Sequence, residues 1–397
     1  MKPSVRRILL WTALLLCAAS LLQIGRNLAD TLHARQFIDF AVYREAVMAF
    51  RSGTDPYRQL FVEKPGIPFN YPPSSIALLM PVTFFPPIVA EVLLTFLSLI
   101  SLWISIRIVL KRSGQWSWGT GALFFLFATQ TFPVKFTLVL GQINLIVLGL
   151  TLLAVDWYGR HLAEKRGIRW YIASALILSV GAGLKLFPLY LLPLFLLRGD
   201  VLYVALVTLC FGALNIMTSW PLTWEYVTVV LRGLVSFGPP AFYDQSIYAM
   251  LLRINGSFFH GQIPLITVLI LCVYAYILVR SRRHSRSGQS LIGDAALVLA
   301  LASIGNSFSW QHHLVFCYPL IMLFVLRFWS KDVTWHWMGK SAVTGSIWFL
   351  LFSHAANEQV WWLRYPWLAS YQTELILCLI VASLFWRVTG ASAAARK

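Results

Sequence analysis

The chain has 397 residues, of which 58% are apolar and only 12% charged, with a mean hydropathy of +0.71. Soluble domains carry about 25% charged residues, and no soluble core hides this much apolar sequence, so the solvent is a bilayer. The 32 Lys and Arg against 15 Asp and Glu do not argue for nucleic acid, because most basic residues punctuate the gaps between apolar runs, as orientation in a membrane requires.

The N-terminal stretch MKPSVRRILLWTALLLCAASLLQ has the basic start and apolar run of a signal peptide. The run is long enough to span and further spans follow, so it reads as an uncleaved first helix with its N-terminus inside. Runs of roughly 17–25 apolar residues give about twelve spans, near 7–27, 87–110, 119–133, 143–159, 170–184, 186–198, 200–219, 263–280, 291–305, 312–328, 341–354 and 372–387. Pro133, Pro188, Pro193 and Pro319 interrupt or border some of them. On this topology 21 of the 32 basic residues lie inside, and six of the 11 others fall between 26 and 64. Both termini are then cytoplasmic, and the two long loops, about 28–86 and 220–262, lie outside together. The whole of 1–397 reads as one domain. The five cysteines sit inside apolar runs without a C-x-x-C pair, as small buried hydrophobes do.

The first outer loop is the unusual one. Asp30, Asp39, Glu45, Asp55 and Glu63 place five of the 15 acidic residues in it. Asp39 starts a short amphipathic helix with Val42, Ala46 and Ala49/Phe50 as its apolar stripe and Arg44, Glu45 and Arg51 elsewhere. Gly53 stops that helix, and Thr54-Asp55-Pro56 turns the chain. By position alone, Asp39 reads as an N-cap and Asp55 as a turn residue. The second outer loop carries a helix-like piece with Arg232. Lys185 is a lone cation between two apolar runs, expensive unless paired, functional or snorkelling. His312 and His313 open a span; adjacent residues point to opposite sides of a helix, so both cannot serve one site equally, and His313 is preferred.

In chain order stand D-x-x-V-Y-x-x-A (Asp39, Val42, Tyr43, Ala46), G-x-D-P-Y (Gly53, Asp55, Pro56, Tyr57) and F-x-Y-P-P (Phe69, Tyr71, Pro72, Pro73). G-Q-x-N (Gly141, Gln142, Asn144), K-x-F-P (Lys185, Phe187, Pro188), D-Q-S (Asp244, Gln245, Ser246) and S-W-Q-H-H (Ser309 to His313) follow. Together these resemble glycosyltransferase family 87, polytopic membrane enzymes of the GT-C type that include polyprenol-phosphate-mannose-dependent mannosyltransferases. The last two predicted spans carry none of the motifs.

The resemblance implies an all-α membrane protein with an outer-face cap formed by the loops after spans 1 and 7, in a bacterial cytoplasmic membrane with its site on the outer face. It implies inverting transfer of a sugar from a polyprenyl phosphate to an acceptor hydroxyl on a glycolipid or glycan, with Asp39 as base. Mannose is the expected sugar; arabinofuranose is a variant within the family. An attacking hydroxyl needs a carboxylate to take its proton, and a departing phosphate needs fixed donors. Lys185, His312, His313, Arg232, Gln142 and Asn144 are the candidates for donor phosphate and sugar, Tyr43, Asp55 and Tyr71 the candidates for support, with Lys135 and Arg253 as further outer cations. No metal site and no cofactor are expected: a third ligand beside the two histidines is lacking, and D-x-D, Walker and G-x-G-x-x-G patterns are absent.

The alternatives are a secondary transporter, another lipid-linked-glycan enzyme of polymerase or ligase type, and a non-catalytic assembly partner. A transporter concentrates its charges at the bilayer midplane, whereas here the richest cluster lies in an outer loop.

Overall fold

The computed structural model describes 38–59, 68–164, 167–235, 244–260, 263–283, 288–306, 309–329, 337–352 and 370–394, with scattered residues before 38. The first predicted span, 7–27, lies largely outside the described residues. The described residues are helical, and the β-type pairing among them is a single antiparallel bridge between Asp244 and Trp310.

In chain order, α1 is Ile38–Arg51, α2 Pro73–Leu79 (extended by a 3-10 turn, Met80–Phe84), α3 Pro87–Arg112, α4 Trp118–Gln130, α5 Phe132–Val139 and α6 Asn144–Glu164. Then come α7 Ile168–Leu184, a 3-10 turn Phe187–Leu191, α8 Leu192–Leu197 and α9 Val201–Thr218. The second outer loop holds α10 Trp220–Glu225, a π turn Tyr226–Val230, α11 Leu231–Val235 and α12 Ile247–His260. The rest is α13 Ile263–Arg283, α14 Gly288–Gly305, a 3-10 turn Gln311–Cys317, α15 Tyr318–Phe328, α16 Trp337–Phe352 and α17 Tyr371–Ala394.

Among the described residues, four helical stretches are long and apolar enough to cross a bilayer: Pro87–Arg112, Asn144–Leu162, Val201–Thr218 and Gln311–Phe328. A fifth counts if α4 and α5, bent by 68°, are one span. Shorter apolar stretches among the described residues are Pro73–Phe84, Ile168–Leu184, Phe187–Leu197, Val268–Ile277, Leu291–Gly305 and Tyr371–Leu384. Proline is the physical reason for the fragmentation. It lacks an amide and clashes with the preceding turn, and Pro133, Pro188, Pro193 and Pro319 each fall at the start of a new helix or turn.

The core is packed around α6, which lies against α3 and α7, and around α14, which packs on α13, α15 and the Gln311–Cys317 turn. From Leu291 to Ile304 nearly every side chain of α14 is buried, as befits a helix apolar all round. By contrast, α3 exposes Ile88, Val89, Val92, Leu93, Phe96 and Leu97, and α9 exposes Val201, Leu202, Leu209, Ile216 and Met217. Such faces are untenable in water and belong against lipid. The molecule is a multi-pass membrane protein.

At the end of the bundle assigned to the inside, the acidic residues are paired. Asp156 takes Arg112 at 2.6 Å and Arg160 at 2.8 Å, and Asp294 takes Arg198 at 3.0 Å. Asp200 accepts from the hydroxyls of Tyr158 and Tyr171 and caps α9 through the Tyr203 amide. Cys210, Cys272, Cys317 and Cys378 are free thiols.

The Arg198–Asp294 pair is 3% exposed on each side, so removing one partner strands a buried charge. Asp294→Ala should therefore destabilise the protein by about 3–5 kcal/mol. The loss is read as a lower thermal midpoint in detergent. The double variant Arg198→Met/Asp294→Leu should recover most of it.

Candidate functional site

Helix breaks build the site. The first amides of α1 have no intrahelical acceptor; the amides of Asp39 and Phe40 instead donate to the carbonyl of Leu140, at 3.1 and 3.4 Å, where α5 ends. Phe40, Val42, Tyr43, Ala46, Val47 and Ala49 bury the inner face of α1, while Glu45 and Arg51 are exposed. Gly53, at φ +76°, closes the helix as the sequence implied.

Just beyond α5, Gly141 adopts φ +67°. Its amide donates to Leu138 and that of Gln142 to Thr137, the two bonds of a Schellman cap. That reversal sends Gln142 and Asn144 inward at the head of α6, where they are 4% and 0% exposed.

Tyr71 precedes two prolines, which keep it extended. Pro73 begins α2. Ser74 then ties this corner to α7 and α9, donating to the carbonyl of Gly183 at 3.0 Å and to Asn215 Oδ1 at 3.0 Å. The Tyr57 hydroxyl donates to the carbonyl of Tyr71 at 2.7 Å. Thus Y-P-P is a rigid turn whose tyrosine also enters the site.

Lys185 ends α7 in an extended conformation, its amide donating to Gly181. Phe187, two residues on, stacks on Phe316 of the 3-10 turn with ring centroids 3.9 Å apart. The break in K-x-F-P is thereby packed directly onto the segment that carries the histidines.

The side chains converge. The Tyr43 hydroxyl lies 2.9 Å from Gln142 Oε1 and 2.9 Å from the Tyr71 hydroxyl, which is 3.3 Å from the same Oε1. With its oxygen facing two hydroxyls, the Gln142 amide donates to the Asp39 carboxylate. Lys185 Nζ donates to Asn144 Oδ1 at 2.7 Å, sits 2.9 Å from His313 Nε2 and lies 5.7 Å from the centroid of the Tyr71 ring. Asp39, Lys185 and His313 are half-buried, whereas Tyr43, Tyr71, Gln142 and Asn144 around them are buried. The three groups able to hold a charge therefore keep access to a cleft whose supports are sealed.

Burial pushes the Asp39 carboxyl up to about 6, against the opposing pull of the Gln142 bond and the Lys185 charge. The arrangement holds an acceptor of protons and a donor to anions across one polar cluster. An apolar crevice lined by Phe40, Tyr43, Leu79, Val82 and Leu94, with Arg44 and Thr83, lies beside it.

Not every expected residue joins. His312 turns its buried ring toward Phe136 and Trp310, and its contribution is its carbonyl, which accepts from Asn144 Nδ2 at 3.2 Å and Thr137 Oγ1 at 3.3 Å. Arg232 lies exposed on α11, and the bonds that tie the cluster together do not run through it. Asp55 accepts from the amides of Tyr57 and Arg58, so it is a turn residue, and its carboxyl also meets Glu225 of the second outer loop. Arg253 is 8% exposed and donates to the carbonyl of Asp244 and to Ser370, so it serves the interior instead of a lipid phosphate. Lys135 stands half-buried on α5. Thr137 was missed, and no local pattern marks it. Among the described residues no group of three or more His, Cys, Asp or Glu is gathered as a metal site would require.

Comparison with known proteins adds the chemistry. The model of glycosyltransferase family 87 matches residues 69–305. That stretch takes in Tyr71, Gln142, Asn144, Lys185 and Asp244 and leaves Asp39 and the histidines outside it. A polyprenol-phosphate-mannose-dependent alpha-(1-2)-phosphatidylinositol mannoside mannosyltransferase of Mycobacterium tuberculosis is 28% identical over 381 residues, covering 89% of this chain and 86% of the relative. The protein of the same name from Mycolicibacterium smegmatis is 25% identical, over 88% of this chain and 86% of its own. A phosphatidylinositol pentamannoside mannosyltransferase of that organism is 24% identical, over 88% and 84%. No solved structure matches.

Gly141 is the hinge on which this geometry turns. Gly141→Ala forces a side chain into a left-handed conformation at a cost of about 1–2 kcal/mol, to be read as a lower thermal midpoint.

Proposed function

The chain belongs to glycosyltransferase family 87, and on that premise we propose that it moves mannose from a polyprenyl-phosphate donor to a hydroxyl of a glycolipid, of the phosphatidylinositol mannoside kind, at the outer face of the membrane. The acceptor class comes from the relatives' names. The observation that carries the reading is the half-buried Asp39 carboxylate facing, through Gln142 and Tyr71, the half-buried Lys185 ammonium.

The reaction is one inverting displacement. The acceptor oxygen attacks the anomeric carbon while its proton passes to Asp39. The bond from that carbon to the phosphate oxygen breaks on the opposite face, and the electron pair leaves with the polyprenyl phosphate. Lys185, oriented by Asn144 and His313, donates to the phosphate oxygens as their charge grows. Holding both substrates in one cleft supplies much of the rate. In this reading the prenyl chain lies along the apolar crevice beside Tyr43; Phe84, Phe85 and Ile88, next in sequence to its Thr83, are exposed. No divalent cation takes part, the neutralising charge being that of Lys185.

The test is transfer from radiolabelled polyprenyl-phosphate mannose to a phosphatidylinositol mannoside by the purified protein in nanodiscs. Asp39→Asn should lower the rate by about 10²–10⁴-fold, and Lys185→Ala by about 10²–10³-fold, with both variants still folded. EDTA should leave the rate unchanged. Transfer surviving in Asp39→Asn would remove Asp39 as base, and no transfer by the wild type would remove the donor and acceptor assignment.

The pH profile gives a second check. The base acts ionised, and burial raises its pKa to about 6. On this account kcat/KM rises about tenfold per pH unit below 6 and falls again at higher pH as Lys185, whose proton burial loosens, loses its charge. Gln142→Leu deletes a bond that favours the ionised form, so the acid limb should move to higher pH.

A further inference from the structure

The D-Q-S segment, which the reaction above does not use, is tied to the histidine turn by an unusual density of bonds. Asp244 Oδ1 accepts from the amide of Ser246 at 2.8 Å and, across the fold, from the amide of Ser309 at 2.9 Å. The Gln245 amide donates to the Ser309 carbonyl, and Asp244 forms the antiparallel bridge with Trp310. Ser246 Oγ accepts from the Ala249 amide at 3.0 Å and so caps α12. This strap is itself anchored from two helices. Arg253 of α12 donates to the Asp244 carbonyl and to Ser370 Oγ, and Thr373 of α17 donates to the Gln245 carbonyl at 2.8 Å. Asp244, Gln245, Ser246, Ser309, Ser370 and Thr373 are all at most 1% exposed.

Three residues beyond Trp310 comes His313, whose amide donates to the Trp310 carbonyl at 2.8 Å in the first bond of the 3-10 turn. In a 3-10 turn successive side chains lie about 120° apart. The bridge at Trp310 therefore sets which histidine faces Lys185. A slip of one residue would bring His312 to the ammonium and take its carbonyl away from Asn144 and Thr137.

We infer that Asp244 is a positioning residue: by pinning Ser309 and Trp310 it fixes the phase of the histidine turn, so that His313 and Asn144 together hold Lys185 toward the donor phosphate. This rests on the reaction proposed above. It also brings α17, a helix with no motif of its own, into the support of the site through Thr373 and Ser370. As an acceptor of two amides the carboxylate can be replaced by the Oδ1 of asparagine, although its charge also faces the buried Arg253.

The experiment compares wild type, Asp244→Ala, Asp244→Asn and the milder Thr373→Val, each as the full chain in nanodiscs, by three measurements: thermal midpoint, kcat and KM for the polyprenyl-phosphate sugar, and the side-chain nitrogen NMR signal of His313, assigned with His313→Gln. Asp244→Ala is expected to lower kcat by about tenfold to a hundredfold, the effect of a small misplacement of a reacting group, with a much smaller change in KM, and to move the His313 signal away from that of a ring nitrogen bonded to an ammonium. Asp244→Asn should restore both; Thr373→Val should shift both slightly in the same direction as Asp244→Ala. Wild-type kcat and an unmoved His313 signal in Asp244→Ala, or in Thr373→Val if the first does not fold, would overturn the inference even where the thermal midpoint drops. If the wild type transfers no mannose, the reaction falls, while the His313 signal still decides for or against the strap.

Discussion

The constraint on which this structure depends is the Lys185 ammonium, set at the end of an apolar helix and only half-buried. A cation there is costly unless its donors are met, and the protein meets them without neutralising the charge. Asn144 and His313 offer uncharged acceptors at 2.7 and 2.9 Å, and the face of Tyr71 lies beneath. The carboxylate that could cancel Lys185 is kept at one remove, with Gln142 and the tyrosines between. A direct ion pair would satisfy both charges and leave neither for a substrate. On the proposed reaction, that spacing leaves the cation's field for an anion and the carboxylate for a hydroxyl.

That arrangement draws on five segments far apart in sequence, and each reaches the site at a helix end. Asp39 and Tyr43 come from the first turns of α1, Tyr71 from the proline corner before α2, and Gln142 and Asn144 from the glycine reversal after α5. Lys185 comes from the break after α7, and His313 from the 3-10 turn before α15. Helix ends carry unpaired amides and carbonyls that lipid cannot satisfy. Here the ends pair with each other, as Leu140 does with Asp39 and Phe40 and as His312 does with Asn144 and Thr137. At two of these helix ends a carbonyl, that of Leu140 or His312, accepts bonds from another segment of the cluster.

This explains what could be read from the sequence and what could not. Gly53, Gly141, Tyr71-Pro72-Pro73 and Lys185-x-Phe-Pro are local signals, and their conformations follow from the residues alone. So does the burial of α14, apolar on every side. The convergence of Asp39, Tyr43, Tyr71, Gln142, Asn144, Lys185 and His313 was legible only through the order of motifs, since no periodicity links Tyr43 to a glutamine 99 positions away. Hydropathy does not register the breaks at Pro133, Pro188, Pro193 and Pro319, where apolar runs start a new helix or turn. The pairing of Asp200 with tyrosines, the inward turn of Arg253 and the exposure of Arg232 on α11 depend on which faces meet after folding. So does the choice between His312 and His313, because a 3-10 turn and an α-helix place the same two residues at different angles.

The two long loops bear on the site as well. They are polar segments in an apolar protein, and their tips are tied to one another and to the bundle: Asp55 meets Glu225, Tyr57 lies 5.7 Å from Tyr226, and Tyr57 donates to the backbone of Tyr71. The last of these contacts ends on the corner that presents Tyr71. Burial raises the Asp39 carboxyl to about 6, and burial needs a wall beside it. The stacked, hydrogen-bonded tyrosines supply one: apolar enough to raise the carboxyl, yet polar at their tips, where Gln142 must be held in the orientation that serves Asp39.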